Sequence, residues 1–162
     1  MPNLYGGVNL SNGTKNNQIG PSNTIRFNLH GILVYSDSTL FNRITKNSIS
    51  GNEATGINLI QGGNGGILAP VFSLDAAGIH GTAVPNGRIE IFSDVSSQGL
   101  VYEGFADADE GSVFSWTGTP GGPFITATVT DPDGNTSIFS PPILLTGLET
   151  EDTKPIPDAF CI

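Results

Sequence analysis

One cysteine, one methionine, one tryptophan and six basic residues are all that 162 positions contain of these types, and each scarcity closes off a class of protein. A lone Cys161 cannot form an intrachain disulfide, and a single thiol beside the C-terminus reads as a bystander, not a nucleophile. Six Lys and Arg against fifteen Asp and Glu give a net charge of −9. Phosphate neutralisation needs clustered cations, so nucleic acid and anionic membrane surfaces are excluded as expected partners. Long apolar runs are missing as well, and no segment approaches the roughly 20 residues of a membrane span. Met1-Pro2-Asn3 lacks the basic and apolar regions of a secretion signal, so an exported protein would carry its signal upstream or use another type. Lys (3) and Glu (6) are too sparse for helices, whereas Gly (22) and Pro (11) are abundant, which points to an all-β chain dense in turns.

The charge that is present is unevenly placed. Residues 1–69 carry Lys15, Arg26, Arg43 and Lys46 against Asp37 and Glu53, while residues 70–162 carry Arg88 and Lys154 against thirteen carboxylates. The first part also repeats itself. Gly7-Val8-Asn9-Leu10, Gly31-Ile32-Leu33-Val34 and Gly56-Ile57-Asn58-Leu59 follow one another at 24 and 25 residues, and Ile25/Ile49 and Ile19/Ile44 keep the same spacing. A fixed period of this size marks a solenoid, whose turns bury their apolar faces only by stacking. Residues 1–69 are therefore expected to form about three stacked coils, with Val8, Ile32 and Ile57 in one inward column, Leu10, Val34 and Leu59 in a second, and Ile25 and Ile49 in a third.

Asparagines recur in the same register, Asn23 with Asn47 and Asn28 with Asn52. They stack either as corner ladders, because Asn tolerates left-handed backbone and its amide can bond the amide above, or as outward rows that bind sugar hydroxyls. Gln61–Gly66, QGGNGG, reads as a flexible exit from the solenoid. Its glycines do not make a phosphate loop, since no Lys-Ser/Thr follows and no basic residue is near.

From Pro70 the period stops and some eight short strands alternate with turns such as Pro85-Asn86-Gly87 and Asp133-Gly134-Asn135, the spacing of a β-sandwich. One of these strands is expected at 136–140. Phe114 and Trp116 are expected in its core, and Ile125, Ala127 and Val129 are expected inward against Thr126, Thr128 and Thr130 outward. The sandwich is assigned to 70–146 as a separate module, and 147–162 to an extended or disordered tail.

The NxIxxNxxxGIxL pattern of Asn23–Leu59 resembles the right-handed parallel β-helix repeats of large bacterial surface and secreted proteins. The stretches GIHGTAVPNGRIEIFSD at 78–94, FADADEGSVFSW at 105–116 and ITATVTDPDGNTSIFSP at 125–141 are similar to the immunoglobulin-like sandwich that often follows such helices. The resemblance implies an extracellular or cell-surface location and a non-enzymatic structural or adhesive role, with polysaccharide as a partner. It also admits a second reading, a fragment of a polysaccharide lyase or glycoside hydrolase. Glycoside hydrolysis needs two carboxylates flanking one bond, and the solenoid offers only Asp37 and Glu53, far apart on the coil perimeter. His30 and His80 have no companions at triad or metal spacing. The best candidate site is a pair of acidic turns, Asp107 with Asp109 and Asp131 with Asp133 and Asn135, whose alternating oxygens suit Ca²⁺; turn formation alone also explains them. No other cofactor is expected. The first coil has no visible cap, and self-association through that end is the corollary.

Overall fold

The computed structural model describes residues 3–145, so the tail assigned to 147–162 lies outside the described residues. The chain is nearly all β. Its strands are β1 (Asn3–Leu10), β2 (Gln18–Ile19), β3 (Thr24–Arg26), β4 (Asn28–Tyr35), β5 (Arg43–Ile44), β6 (Ser48–Ser50), β7 (Thr55–Ile60), β8 (Val71–Asp75), β9 (Gly78–Thr82), β10 (Arg88–Asp94), β11 (Val101–Asp107), β12 (Val113–Trp116), β13 (Phe124–Thr130) and β14 (Ile143–Leu144).

The first seven form three parallel sheets, β1-β4-β7, β2-β5 and β3-β6. Parallel pairing at one period places like residues over like. Val8 pairs with Ile32 and Ile32 with Ile57, Leu10 with Val34 and Val34 with Leu59, Ile19 with Ile44, and Ile25 with Ile49. Ile32 and Val34 have no exposed surface, and Ile49 and Ile57 almost none. Burying one such side chain stabilises the fold by roughly 1.5–3 kcal/mol. The repeated glycine has a packing cause. A Cβ on Gly7 would sit 3.0 Å from Ile25 Cγ2, and one on Gly31 would sit 2.8 Å from Ile49 Cγ2. The next rung is closer still, Asn28 Nδ2 at 2.6 Å from such a Cβ on Gly7 and Gly56 O at 2.4 Å from one on Gly31, so the period carries glycine where the next rung and the isoleucine column together leave no room for a side chain.

From β8 onward the strands are antiparallel, in a three-stranded sheet β12-β9-β8 and a four-stranded sheet β11-β10-β13-β14. Their facing sides share a core of Ile79, Ile89, Ile91, Phe114, Ile125, Ala127 and Val129, with Trp116 packed at its margin.

Three expectations are corrected. The threonines of β13 do not face water, for Thr126, Thr128 and Thr130 are as buried as the apolar residues between them. The outer side of the four-stranded sheet lies on the end of the parallel stack, where Phe92 and Thr128 border the same narrow gap as Ile44, Ile49 and Ile57. Phe92 and Phe139 accordingly belong to one core with Ile49 and Ile57, so the two parts share a hydrophobic centre. Residues 136–140 are not a strand. They run beside β13 with serine hydroxyls in place of ladder carbonyls, Ser137 Oγ accepting from Val129 N–H at 3.0 Å and Ser140 Oγ from Ala127 N–H at 3.0 Å. Finally, Gln61–Gly66 is not a loose exit. It contains a 3₁₀ turn at Gly63–Gly66, and Asn64 inside it is fully buried.

Candidate functional site: the closed end of the stack and the acidic turns

A parallel stack leaves its last rung with N–H groups that have no further strand to bond. Here the second part of the chain supplies the acceptors. Phe41 N–H donates to Asn135 Oδ1 at 2.6 Å, Ile44 N–H to Thr136 Oγ1 at 2.9 Å, Lys46 N–H to Glu90 Oε2 at 2.9 Å, Ile49 N–H to Gly99 O at 2.8 Å and Asn52 N–H to Gln98 Oε1 at 3.1 Å. Each acceptor stands where the next rung would be. Gln98 continues the corner ladder, since Asn28 N–H and Nδ2 donate to Asn52 Oδ1 and Asn52 N–H and Nδ2 donate in turn to Gln98 Oε1. Phe139 continues the isoleucine column, because a Cβ on Gly56 would meet its Cε2 at 2.7 Å, as Gly7 and Gly31 meet Ile25 and Ile49. Asn64 ends a third corner, accepting from Asn42 N–H at 3.2 Å and donating to Thr136 O at 3.1 Å.

None of Glu90, Gln98, Thr136 and Phe139 was visible in advance as a capping residue, because none belongs to the repeat. Residues 125–130 are all buried, and their threonines take partners on a second packed layer, a fact the alternating sequence of the strand does not show.

The acidic turns are each internally bonded. Asp107 Oδ1 and Oδ2 accept from Arg88 Nε and a terminal guanidinium nitrogen at 2.9 and 3.2 Å. That bond is the main reason the Arg88 guanidinium is held above its usual range. Asp109 Oδ1 accepts from Val113 N–H at 2.8 Å. Asp131 accepts from Asn135 N–H at 2.8 Å and Asn135 Nδ2 at 2.9 Å, and Asn135 Oδ1 is spent on Phe41. Asp133 is exposed at the turn tip. Asp107 and Asp131 lie on opposite sides of β10, which pairs through Arg88 with both Asp107 and Thr130, so about two strand spacings, roughly 10 Å, separate the turns. Among the described residues no three Asp, Glu, His or Cys side chains gather as a metal group. The expected outcome of a calcium titration is no heat and no rise in melting temperature. Heat at one equivalent would mean that these turn bonds open for the ion.

Asp37 and Glu53 flank opposite ends of the β4 register, with Glu53 N–H bonded to Asn28 O and Asp37 two residues past Tyr35. The eight residues of β4 between them span roughly 26 Å, against the 5–9.5 Å of paired glycosidase carboxylates. His30 Nδ1 lies 2.9 Å from Thr55 Oγ1 on the outer face, and His80 Nε2 lies 3.5 Å from Asp75 Oδ1, too long for a good hydrogen bond. Two buried polar atoms lack a hydrogen-bond partner among the described residues, His80 Nε2 and Asp94 Oδ2, and they stand in different sheets.

Burial pushes the Tyr102 phenol above its usual value near 10, and the negative charge of Glu90 adds to the shift while Arg88 opposes it. The folded chain then holds the phenolic proton more tightly than the unfolded chain. Its contribution to stability is complete below pH about 10 and is lost as the pH rises through the raised value. Melting temperatures recorded from pH 9 upward are expected to fall more steeply for the natural protein than for Tyr102→Phe.

No helix among the described residues is long and apolar enough to cross a membrane. No family model matches the chain, and no curated protein matches it.

Proposed function

We propose that residues 1–69 are about three coils of a right-handed parallel β-helix, that the strands from Pro70 onward are an immunoglobulin-like β-sandwich closing it, and that the protein is a non-enzymatic structural or adhesive module of the cell exterior. The observation that carries this reading is the set of five last-rung N–H groups answered by Asn135, Thr136, Glu90, Gly99 and Gln98. Most of the side-chain chemistry that the second part brings to the stack is used to terminate it. The separation of Asp37 from Glu53 supports the absence of glycoside hydrolysis, and the missing cation cluster supports the absence of nucleic-acid partners. Contacts with other molecules fall to the outer face of the β1-β4-β7 sheet, where Asn9, His30, Thr55 and Asn58 offer polar groups to a polysaccharide, and to the open first coil.

Incubation with a panel of acidic and neutral polysaccharides tests the reading. The expected result is no new reducing ends and no unsaturated products, with retention on immobilised polysaccharide as the only interaction. Depolymerisation of any member would replace this proposal with the carbohydrate-active one.

A further inference from the structure

The capping set stops one strand short. Phe41, Ile44, Lys46, Ile49 and Asn52 find acceptors in the second part of the chain, but β7 follows them in the same rung and stands at the edge of β1-β4-β7. The ladder fixes which of its groups are left over. Ser36 N–H donates to Ile60 O at 3.0 Å, and β4 and β7 pair in parallel without a break from Ile32 and Ile57 to Tyr35 and Ile60. Alternate residues of a parallel strand bond to opposite neighbours, so Gly56, Asn58 and Ile60 turn their main-chain groups to β4, and Thr55, Ile57 and Leu59 turn theirs away. Among the described residues no acceptor meets the N–H of Thr55, Ile57 or Leu59. Where a further strand would lie there is instead a groove of about 330 Å³, with residues 54–57 on one side and Ser97 and residues 138–142 on the other.

We infer that the β7 edge is a strand-addition site, which takes an extended segment of another polypeptide as one more strand of the β1-β4-β7 sheet. Three features select that occupant. The unanswered groups alternate donor and acceptor along one line at the two-residue repeat of a strand, which a main chain in β conformation matches and the hydroxyls of a sugar do not. No residue lining the groove is charged, and Ile138, Phe139, Pro141 and Pro142 give it an apolar wall, so the side chains that enter it are uncharged and apolar. A second copy of the chain would bring a net charge of −9 against another −9, which opposes self-pairing and favours a neutral or basic segment. This edge is a place of contact additional to the outer face of the same sheet, and it does not depend on polysaccharide binding there.

The chain supplies its own probe, an acetylated and amidated peptide with the sequence of Asn28–Tyr35, the strand on which β7 is already laid. Added in the same parallel register, the peptide would donate to β7 through the N–H groups of its Gly31 and Leu33 and leave those of its Ile32 and Val34 facing away. Hydrogen exchange of the natural protein is read by NMR with and without peptide. The Ile57 amide is expected to exchange faster than that of Asn58 in the free protein and to slow when the peptide is present. A peptide N-methylated at Ile32 and Val34 should bind as well as the parent, and one N-methylated at Gly31 and Leu33 about tenfold more weakly or worse. Ile138→Asp, on a wall residue that is 41% exposed, should keep the melting temperature of the protein and weaken the peptide by about tenfold. Equal binding of the two methylated peptides, binding without protection of Ile57, or no binding of the parent peptide overturns the inference. So does protection of Ile57 by an oligosaccharide, or by raising the concentration of the protein alone, which would give the groove to a sugar or to a second copy.

Discussion

Phe139→Ala is expected to lower the free energy of unfolding by about 3–5 kcal/mol. The ring is 9% exposed and sits in one cluster with Ile49, Ile57 and Phe92, meeting Phe92 edge-on at 5.4 Å between centroids. Two features place the cost at the upper end of the usual range. The cavity would open between β7 and the four-stranded sheet, two elements tied to different partners, so neither can collapse into it freely. Gly56, shaped by the ring's approach, has no side chain to fill the space. Leucine at this position keeps most of the volume and should cost about 1 kcal/mol. Urea unfolding followed at once by far-ultraviolet circular dichroism and by Trp116 fluorescence reads the coupling, because Trp116 lies in the other core. Both signals should move to lower urea together. A Trp116 transition that stays in place while the dichroism midpoint falls would show two independent units, and the shared centre described above would have no energetic meaning.

The stack was legible in the sequence because parallel pairing at a constant offset copies the direction of each side chain from rung to rung. Knowing that Ile32 points inward is therefore enough to place Val8 and Ile57. The asparagine corners were legible for the same reason, and of their two possible roles the bonds from Asn17, Asn23 and Asn28 show the ladder. What terminates the stack could not be read this way. Gln98 replaces a corner asparagine and Phe139 a column isoleucine, yet neither stands at the repeat spacing, and Gly99 meets Ile49 in an antiparallel bridge. Chemical equivalence without equivalent spacing leaves no periodic trace. The threonine alternation of β13 misled because alternation normally marks one wet face, and here hydroxyl pairs such as Thr130 with Thr136 make the second face compatible with burial. Asn64 misled because it and the four glycines around it all argue for a loop, and only its bonds to Asn42 and Thr136 explain why it is buried. The acidic turns at Asp109 and Asp131 were legible as turns, and the bonds that make them turns are the ones a metal would have to displace.

Glu90→Ala is expected to destabilise the protein by about 2–4 kcal/mol, and Glu90→Gln by about 1 kcal/mol. Two effects compete. Glu90 is 3% exposed, and its carboxylate has been taken from water to lie between Thr128 and Phe105 on the sheet, so removing it relieves a desolvation cost. Against this, Thr45 Oγ1 and Lys46 N–H both bond to it, at 2.5 and 2.9 Å. A threonine hydroxyl can turn to another acceptor, but a backbone N–H at a closed edge cannot, and an orphaned one costs about 1–3 kcal/mol. The second effect wins in the alanine variant because nothing replaces the acceptor. In the glutamine variant the amide oxygen can face Lys46 while the amide nitrogen donates to the Thr45 hydroxyl, which accepts as readily as it donates. The ordering of the two variants is thus a test of capping as distinct from charge, since both remove the negative charge. Spectrophotometric titration of the Tyr102 phenol supplies a control, for its pKa should fall in both variants once the Glu90 charge that helps to raise it is gone. Equal destabilisation by glutamine and alanine, with Tyr102 shifted alike in both, would assign the effect to charge and remove Glu90 from the residues that close the stack.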